Sequence, residues 1–366
     1  MDYYALHRRG EFFFFDREGR CYRMVKIVID CFGGDRSPEV NISGAVAALN
    51  ENENLYLILV GDEKKISSEL YDSGKYFFDS SRIEIVDAKD VISCEEQPTE
   101  AIKGKPDSSM VRSFAVLKEH GDAMVSIGST GALLVGSVLK IGRVKGVSRP
   151  ALAPVLPTIS GGNVLFVDAG ANADCKDVNL LHFALMGSAY MKTVAGIVNP
   201  RVALLSNGPE EVKGNELTKA VHSLLKRSSG INFVGNIEAR DILSGCCDVI
   251  VTDGFSGNVA IKSMEAVAEA VFGKLKEEID KSFSAKIGAL LMKKSLRAVK
   301  NTLDYNKKGG AVFLGASKVI VKSHGSSKAD AVKAAILQAA VACENNLTDE
   351  ISRAISENVV SEPSES

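Results

Sequence analysis

No apolar run in this 366-residue chain approaches the roughly 20 residues that a membrane-spanning helix needs. No cysteine pair has the CxxC spacing; the seven cysteines stand at Cys21, Cys31, Cys94, Cys175, Cys246, Cys247 and Cys343. That pattern excludes a thioredoxin motif and argues against a zinc site. An odd count in a long chain excludes a disulfide-stapled mini-domain and fits free thiols in a reducing cytoplasm. Neither sign of charge is in excess: 44 Lys+Arg face 46 Asp+Glu, for a formal net charge of −2. Bulk neutralisation of nucleic-acid phosphate is therefore excluded as a working principle, and no nucleic-acid partner is expected. The GxSxG nucleophile elbow is absent, and GxGxxG does not follow the first apolar strand.

What is present begins in earnest at Met24. Before it, Phe12 to Phe15 are fenced by charges, too short a run for a secretory signal and without a small-residue cleavage site. Residues 1–23 are expected to be a disordered, dispensable extension, with Met24 as the physiological start. Hydrophobic residues make up 45% of the chain and charged ones 25%, enough for a sizeable core. Short aliphatic and β-branched runs recur at 25–30, 55–60, 83–86, 123–127, 164–168, 201–205, 231–234 and 248–252, with helical spacings between several of them. Alternating strands and helices predict βαβ units and a largely parallel sheet covered on both faces. The expected organisation is one catalytic α/β domain over 24–349, with a protruding helical segment at about 272–305. The tail 350–366 is expected to be partly disordered, its acidic end from 357 wholly so.

The strands run into IDCFGGD, SIGSTGA, VDAGANAD, LSNGPEE, VGNIEARD and VTDGFSGN. Gly, Asp and Asn make ordinary βα turns. Six such loops at the carboxyl edge of a parallel sheet can instead build one anion site. In SIGSTGA, Ser129 and Thr130 are both candidate helix caps and phosphate donors, beside Gly128 and Gly131. In IDCFGGD, Gly33 and Gly34 permit close backbone approach, while Asp30 and Asp35 can orient donors. His324, in HGSS, offers an imidazole at a helix start, with Gly325 and Ser326. Glu210 and Glu211 are adjacent, would diverge on a helix, and read as solvated surface. Lys213, beside Gly214 and Asn215, is the better candidate for phosphate.

A different pattern follows residue 272. Met292, Leu296, Val299 and Leu303 fall on one helical face, interspersed with Lys293, Lys294, Arg297 and Lys300. The apolar stretch 287–291, including Leu290 and Leu291, precedes them. This reads as a dimer or core helix with a solvated basic side, or as a contact for a membrane surface or an acidic carrier protein.

In order, the segments IDCFGGD, GSTGALLVGSVLKIGRVKGVSRPALAPVLPT, DAGANADCK, FALMGSAYMK, KGNE, INFVGNIEARD, DVIVTDGFSGNVAIK and VKSHGSS resemble the phosphate acyltransferase family of bacterial phospholipid synthesis. The resemblance runs from about Met24 to about Cys343. Departures are Ser129 where members commonly carry Asn, Ala239 where they carry Gly, and Ser206-Asn207-Gly208 followed by Pro209. The resemblance implies a three-layer α/β/α fold related to isocitrate dehydrogenase and phosphotransacetylase folds, working as a homodimer. It further implies an acyl-carrier-protein thioester as donor, and a product passed to a membrane glycerol-3-phosphate acyltransferase.

Phosphate is then itself the nucleophile, so no Ser–His–Asp triad or reactive cysteine is required; no metal and no cofactor are expected. In this scheme Gly33, Gly34, Gly128, Ser129, Thr130, Gly131, Gly325 and Ser326 hold phosphate and the oxyanion. Asp30, Asp35, Asp168 and Asn172 orient that shell. His324, Lys213, Asn258 and Asp253 are the expected catalytic set, with Asn215 and Glu216 on the acyl-donor side. Two other readings stay open: a transacetylase or decarboxylating dehydrogenase on a related fold, and a non-catalytic membrane-docked scaffold.

Overall fold

Strands form where β-branched and aliphatic side chains can be buried on both faces of a pleated ribbon. The computed structural model describes residues 6–8, 11–15, 21–72, 74–303 and 309–358. Its strands are β1 (Leu6–Arg8), β2 (Glu11–Phe15), β3 (Cys21–Arg23), β4 (Val25–Asp30), β5 (Leu55–Gly61), β6 (Ile83–Asp87), β7 (Ala123–Ser126), β8 (Ala151–Ala153), β9 (Val155–Pro157), β10 (Asn163–Val167), β11 (Arg201–Leu205), β12 (Asn232–Ile237), β13 (Val249–Val251), β14 (Ala311–Leu314) and β15 (Val319–Lys322). The helices are α1 (Glu39–Glu51), α2 (Glu63–Ser67), α3 (Pro98–Gly104), α4 (Ser109–Glu119), α5 (Thr130–Gly136), α6 (Asp177–Thr193), α7 (Glu216–Arg227), α8 (Gly254–Asp280), α9 (Phe283–Leu291), α10 (Lys293–Leu303), α11 (Ala329–Glu344) and α12 (Leu347–Glu357).

Two larger sheets carry the molecule. The first has seven strands in the order β6-β5-β4-β7-β15-β14-β8, parallel from β6 to β15 and antiparallel at β14 and β8. The second has five, β12-β11-β13-β10-β9, with only β9 antiparallel. Successive residues of β4 serve opposite faces: Ile27 and Ile29 join a core with α1 and α11, while Val28 packs in a second core with Phe114 and Leu117 of α4. The first of these cores also takes in α6 with Leu165 and Val167 of β10, so one apolar layer ties the two sheets together. Helices thus lie on both sides of mostly parallel strands, as expected of a three-layer α/β fold.

The expectation of one sheet needs correcting, and the reason is Pro154. Strands β8 and β9 are three residues each and stand on either side of it. The first closes the edge of the seven-stranded sheet; the second opens the edge of the five-stranded one. Further differences lie at the margins. Short antiparallel strands β1, β2 and β3 occur where no regular structure was expected, and the rest of 1–20 lies outside the described residues. The boundary expected at 349 falls inside α12, whose buried Ile351 and Ile355 hold it to the core. The acidic end, 359–366, lies outside the described residues. The helical segment placed at about 272 starts mid-way along the 27-residue α8, in which only Gly254, Gly257 and Ile261 are buried.

Candidate active site

The first half of the site is the carboxyl edge of the seven-stranded sheet, where the chain leaves β4 and β7 in opposite directions. Asp30 ends β4 and is 1% exposed. Its Oδ2 accepts from Ser126 Oγ at 2.7 Å, and that hydroxyl in turn accepts from the Gly128 amide at 3.0 Å. Burial pushes the Asp30 carboxyl up to about 6, opposed by the hydroxyls of Ser109 and Ser126, the Phe32 amide and the charge of Lys322. Gly33 has φ +102°, and a Cβ there would stand 3.0 Å from the Gly128 Cα, so these two loops meet backbone against backbone. The Asp35 amide donates to the Gly325 carbonyl at 3.1 Å, and the Ser323 amide to the Ser126 carbonyl at 2.9 Å. IDCFGGD, SIGSTGA and HGSS are therefore one interlocked unit.

The second half is the carboxyl edge of the five-stranded sheet. Asp168, with no exposed surface, accepts from the amides of Leu152 (2.9 Å), Gly170 (3.2 Å), Ala171 (3.0 Å) and Asn172 (2.8 Å), and from Asn172 Nδ2 (2.9 Å). Burial raises its pKa, and these donors pull the other way. Asn172 also donates to the Pro150 carbonyl at 2.8 Å, and its own carbonyl accepts from the Gly254 amide at 2.8 Å. A Cβ on Gly257 would lie 2.0 Å from the Asp168 carbonyl oxygen, so only glycine lets α8 approach this closely. Asp253 caps α8 through the Ser256 amide at 2.8 Å.

Between the two halves lies a cleft of ≈ 350 Å³. Thr130, Gly131, Lys322 and His324 enter it from the first sheet, and Gly170, Ala171 and Asn258 from the second. Lys262 and Glu265 of α8 also line it, as an ion pair of 2.6 Å. Lys322, at the end of β15, is 7% exposed, and burial holds its pKa down to about 8. The Ser326 amide donates to His324 Nδ1 at 3.3 Å, and Ser326 Oγ stands 2.8 Å from the same nitrogen. An amide can only donate, so Nδ1 accepts and the neutral ring carries its proton on Nε2. Its surroundings hold His324 below the usual histidine pKa, first by desolvation and then through Lys322 and Lys262.

Of the residues expected from sequence, Thr130, Gly131, Asn258 and His324 line this cleft. Asp30, Gly33, Gly34, Gly128, Asp168, Asn172, Gly325 and Ser326 belong to the loops that build its walls. Ser129 is 6% exposed and caps α5 through the Ala132 amide at 3.4 Å. Asp35 is exposed. Asn215 caps α7 through Thr218 and, with Asp253, lines a second cleft of ≈ 830 Å³ beside Glu238 and Arg240. Lys213 and Glu216 are exposed and line neither cleft. Glu210 and Glu211 stand in a turn, not on a helix, and Glu211 pairs with Lys226 at 2.8 Å. Leu290, Leu291, Lys293 and Lys294 are exposed on α9 and α10; the Arg297 side chain lies outside the described residues. Sequence reasoning passed over Ser126, Lys262, Glu265 and Lys322. The one signal for Lys322 was a cation closing an otherwise apolar strand.

Two halves meeting at strand carboxyl ends over a polar cleft define an α/β enzyme of the phosphotransacetylase fold type. A phosphotransacetylase from Streptococcus pyogenes has this fold at TM-score 0.58 and 18% identity, covering 88% of this chain and 94% of its own. A branched-chain phosphotransacylase from Enterococcus faecalis matches at TM-score 0.54 and 14% identity, covering 87% and 99%. The family model described as "Fatty acid synthesis protein" matches residues 25–350. Phosphate acyltransferases from Clostridium novyi and Clostridium acetobutylicum are 45% and 47% identical, over 92% and 90% of this chain and 100% and 99% of theirs. The chain belongs to this phosphate acyltransferase family and is an acyl-transferring enzyme.

Proposed function

We propose that the enzyme converts a fatty acyl thioester of acyl carrier protein and inorganic phosphate into acyl phosphate and free carrier protein, an early step in making phosphatidic acid. The observation that carries this reading is the junction of a polar cleft with an apolar trough. Leu156, Pro157, Leu243, Met264 and Ala268 line the trough, which meets the cleft at Ile261 and Glu265. The trough has a volume of ≈ 70 Å³, which suits the first methylenes of an acyl chain whose carbonyl meets an anion in the cleft.

A phosphate oxygen forms the new bond to the carbonyl carbon, the carbonyl electrons move to oxygen, and collapse expels the thiolate. Thr130 and the Gly131 backbone face the phosphate, Asn258 faces the carbonyl from the other wall, and His324 Nε2–H faces the developing negative charge. The Cys175 thiol is a poor nucleophile, since burial pushes it up to about 11. Lys213, Asn215 and Glu216, outside the cleft, belong to the donor's side.

Incubation with acyl-carrier-protein thioester and labelled phosphate should yield labelled acyl phosphate. In that assay His324→Ala is expected to lower kcat about a hundredfold. A nicotinamide- or acetyl-coenzyme-A-dependent product instead would sink the reading, and unchanged turnover in His324→Ala would remove the histidine from it.

The same reading places the enzyme in the cytoplasm as a homodimer that hands its product to a membrane glycerol-3-phosphate acyltransferase. Phe283, Leu290 and Leu291 are 80%, 68% and 82% exposed, next to Lys293 and Lys294, which suits peripheral contact with an anionic bilayer. Charge reversal at both lysines should weaken binding to anionic liposomes about thirtyfold in co-sedimentation, by about 1 kcal/mol per cation removed near the surface; unchanged sedimentation would count against the contact.

A further inference from the structure

We propose that Lys322 is a catalytic residue of this reaction, its ammonium holding the attacking phosphate and balancing the charge of the tetrahedral intermediate. The proposal rests on the acyl-to-phosphate reading for its chemistry, and on the geometry of the cleft for its location. Strand register aligns Asp30 of β4 with Ser126 of β7, and Ser126 with Lys322 of β15. Three polar residues therefore form one row across the carboxyl edge of a sheet whose buried residues are mostly apolar, with Lys26 near the opposite end of β4 as an exception. Asp30 and Ser126 are joined by their 2.7 Å hydrogen bond, while Lys322 reaches the cleft.

One N–H of the buried ammonium donates to the Ser323 carbonyl. Among the described residues Lys322 forms no ion pair; Cys94, and after it Asp30, act on it only as neighbouring groups. Burying an ammonium without a paired anion is costly, and the cost falls when an anion occupies the cleft. The other charges that line the cleft do not supply this: Lys262 is already paired with Glu265, and His324 is neutral. A dianionic phosphate beside Lys322 gains a charge-assisted hydrogen bond in a poorly solvated site. As the phosphate oxygen bonds to carbon and the C–S electron pair leaves with sulfur, the ammonium keeps its protons and stabilises the oxyanionic state.

The test uses the full chain with Lys322→Met and Lys322→Arg, two readouts for each. Steady-state assays give phosphate KM and kcat, and thermal shift with inorganic phosphate alone gives binding without turnover. Lys322→Met is expected to raise phosphate KM at least about tenfold, to lower kcat about a hundredfold and to lose the phosphate-induced shift, with donor KM little changed. Lys322→Arg should recover part of the binding and less of kcat, because a guanidinium places its charge differently. Phosphate KM and thermal shift within about twofold of wild type in Lys322→Met would overturn the proposal. If Lys322→Met does not fold, Lys322→Gln, polar but uncharged, replaces it, and unchanged phosphate KM and thermal shift in that variant overturn the proposal equally. If the wild type makes no acyl phosphate while Lys322→Met loses the phosphate shift, the functional reading fails and the role in phosphate binding stands.

Discussion

Asp168→Ala should cost about 4 kcal/mol or more of unfolding free energy in urea titration, the largest stability loss expected for a single polar side chain here. The carboxylate is the common acceptor for four backbone amides and one side-chain amide; the two Asn172 donors are buried and those of Leu152, Gly170 and Ala171 are part-buried. Each buried donor left unpaired costs roughly 1–3 kcal/mol, and water entering the vacated space recovers only part of that. The loss would not stay local. The Asn172 carbonyl holds the Gly254 amide at the start of α8, and Asn172 itself is held by Asp168. Asn258 stands on that helix start, so activity should fall with stability. Asp168→Asn keeps one acceptor oxygen but turns an NH₂ toward donors, and should lie between wild type and alanine. A loss below about 1 kcal/mol for Asp168→Ala would mean that these amides find other partners easily, and that Asp168 does not organise the second half of the site.

The strands that could be read from sequence are those whose burial is settled locally. VKIVID and LYLILVG are buried along their whole length and, apart from Lys26, Asp30 and Tyr56, apolar, because both faces are covered, and such runs announce themselves. The glycine-rich loops were legible too, since only glycine tolerates the contact of Gly33 with Gly128 or of Gly257 with Asp168. What was illegible depends on pairing. The split into two sheets turns on β8 and β9, three-residue strands punctuated by Pro154, and strands that short leave no periodicity to read. Lys322 is in sequence a lone cation at a strand end, and its register beside Ser126 sets it on the buried carboxyl edge. Asn215 illustrates the converse: a polar residue in a suggestive motif has its side-chain oxygen committed to capping α7.

Ala268→Trp should change which acyl chains the enzyme accepts rather than whether it works. Ile261, Met264 and Ala268 fall three to seven residues apart on α8, and therefore on one helical face. That face forms the wall of the trough opposite Leu156, Pro157 and Leu243. An indole at 268 would fill the space beyond Met264 while leaving the junction at Ile261 open. Ala268 is half-buried rather than in the core, so the larger side chain can fit without overpacking. Each methylene excluded from an apolar wall forfeits about 0.8 kcal/mol, and excluding three or four lowers kcat/KM about sixty- to two-hundredfold. The fall is expected with a palmitoyl donor and not with a butyryl donor, whose chain ends before the blocked position. Because both donors present the same thioester to the same cleft, the ratio of their kcat/KM values separates chain binding from damage to the reacting centre. An equal fall for both would show that the indole has disturbed the cleft or the fold, and an equal absence of effect would place the acyl chain outside the trough.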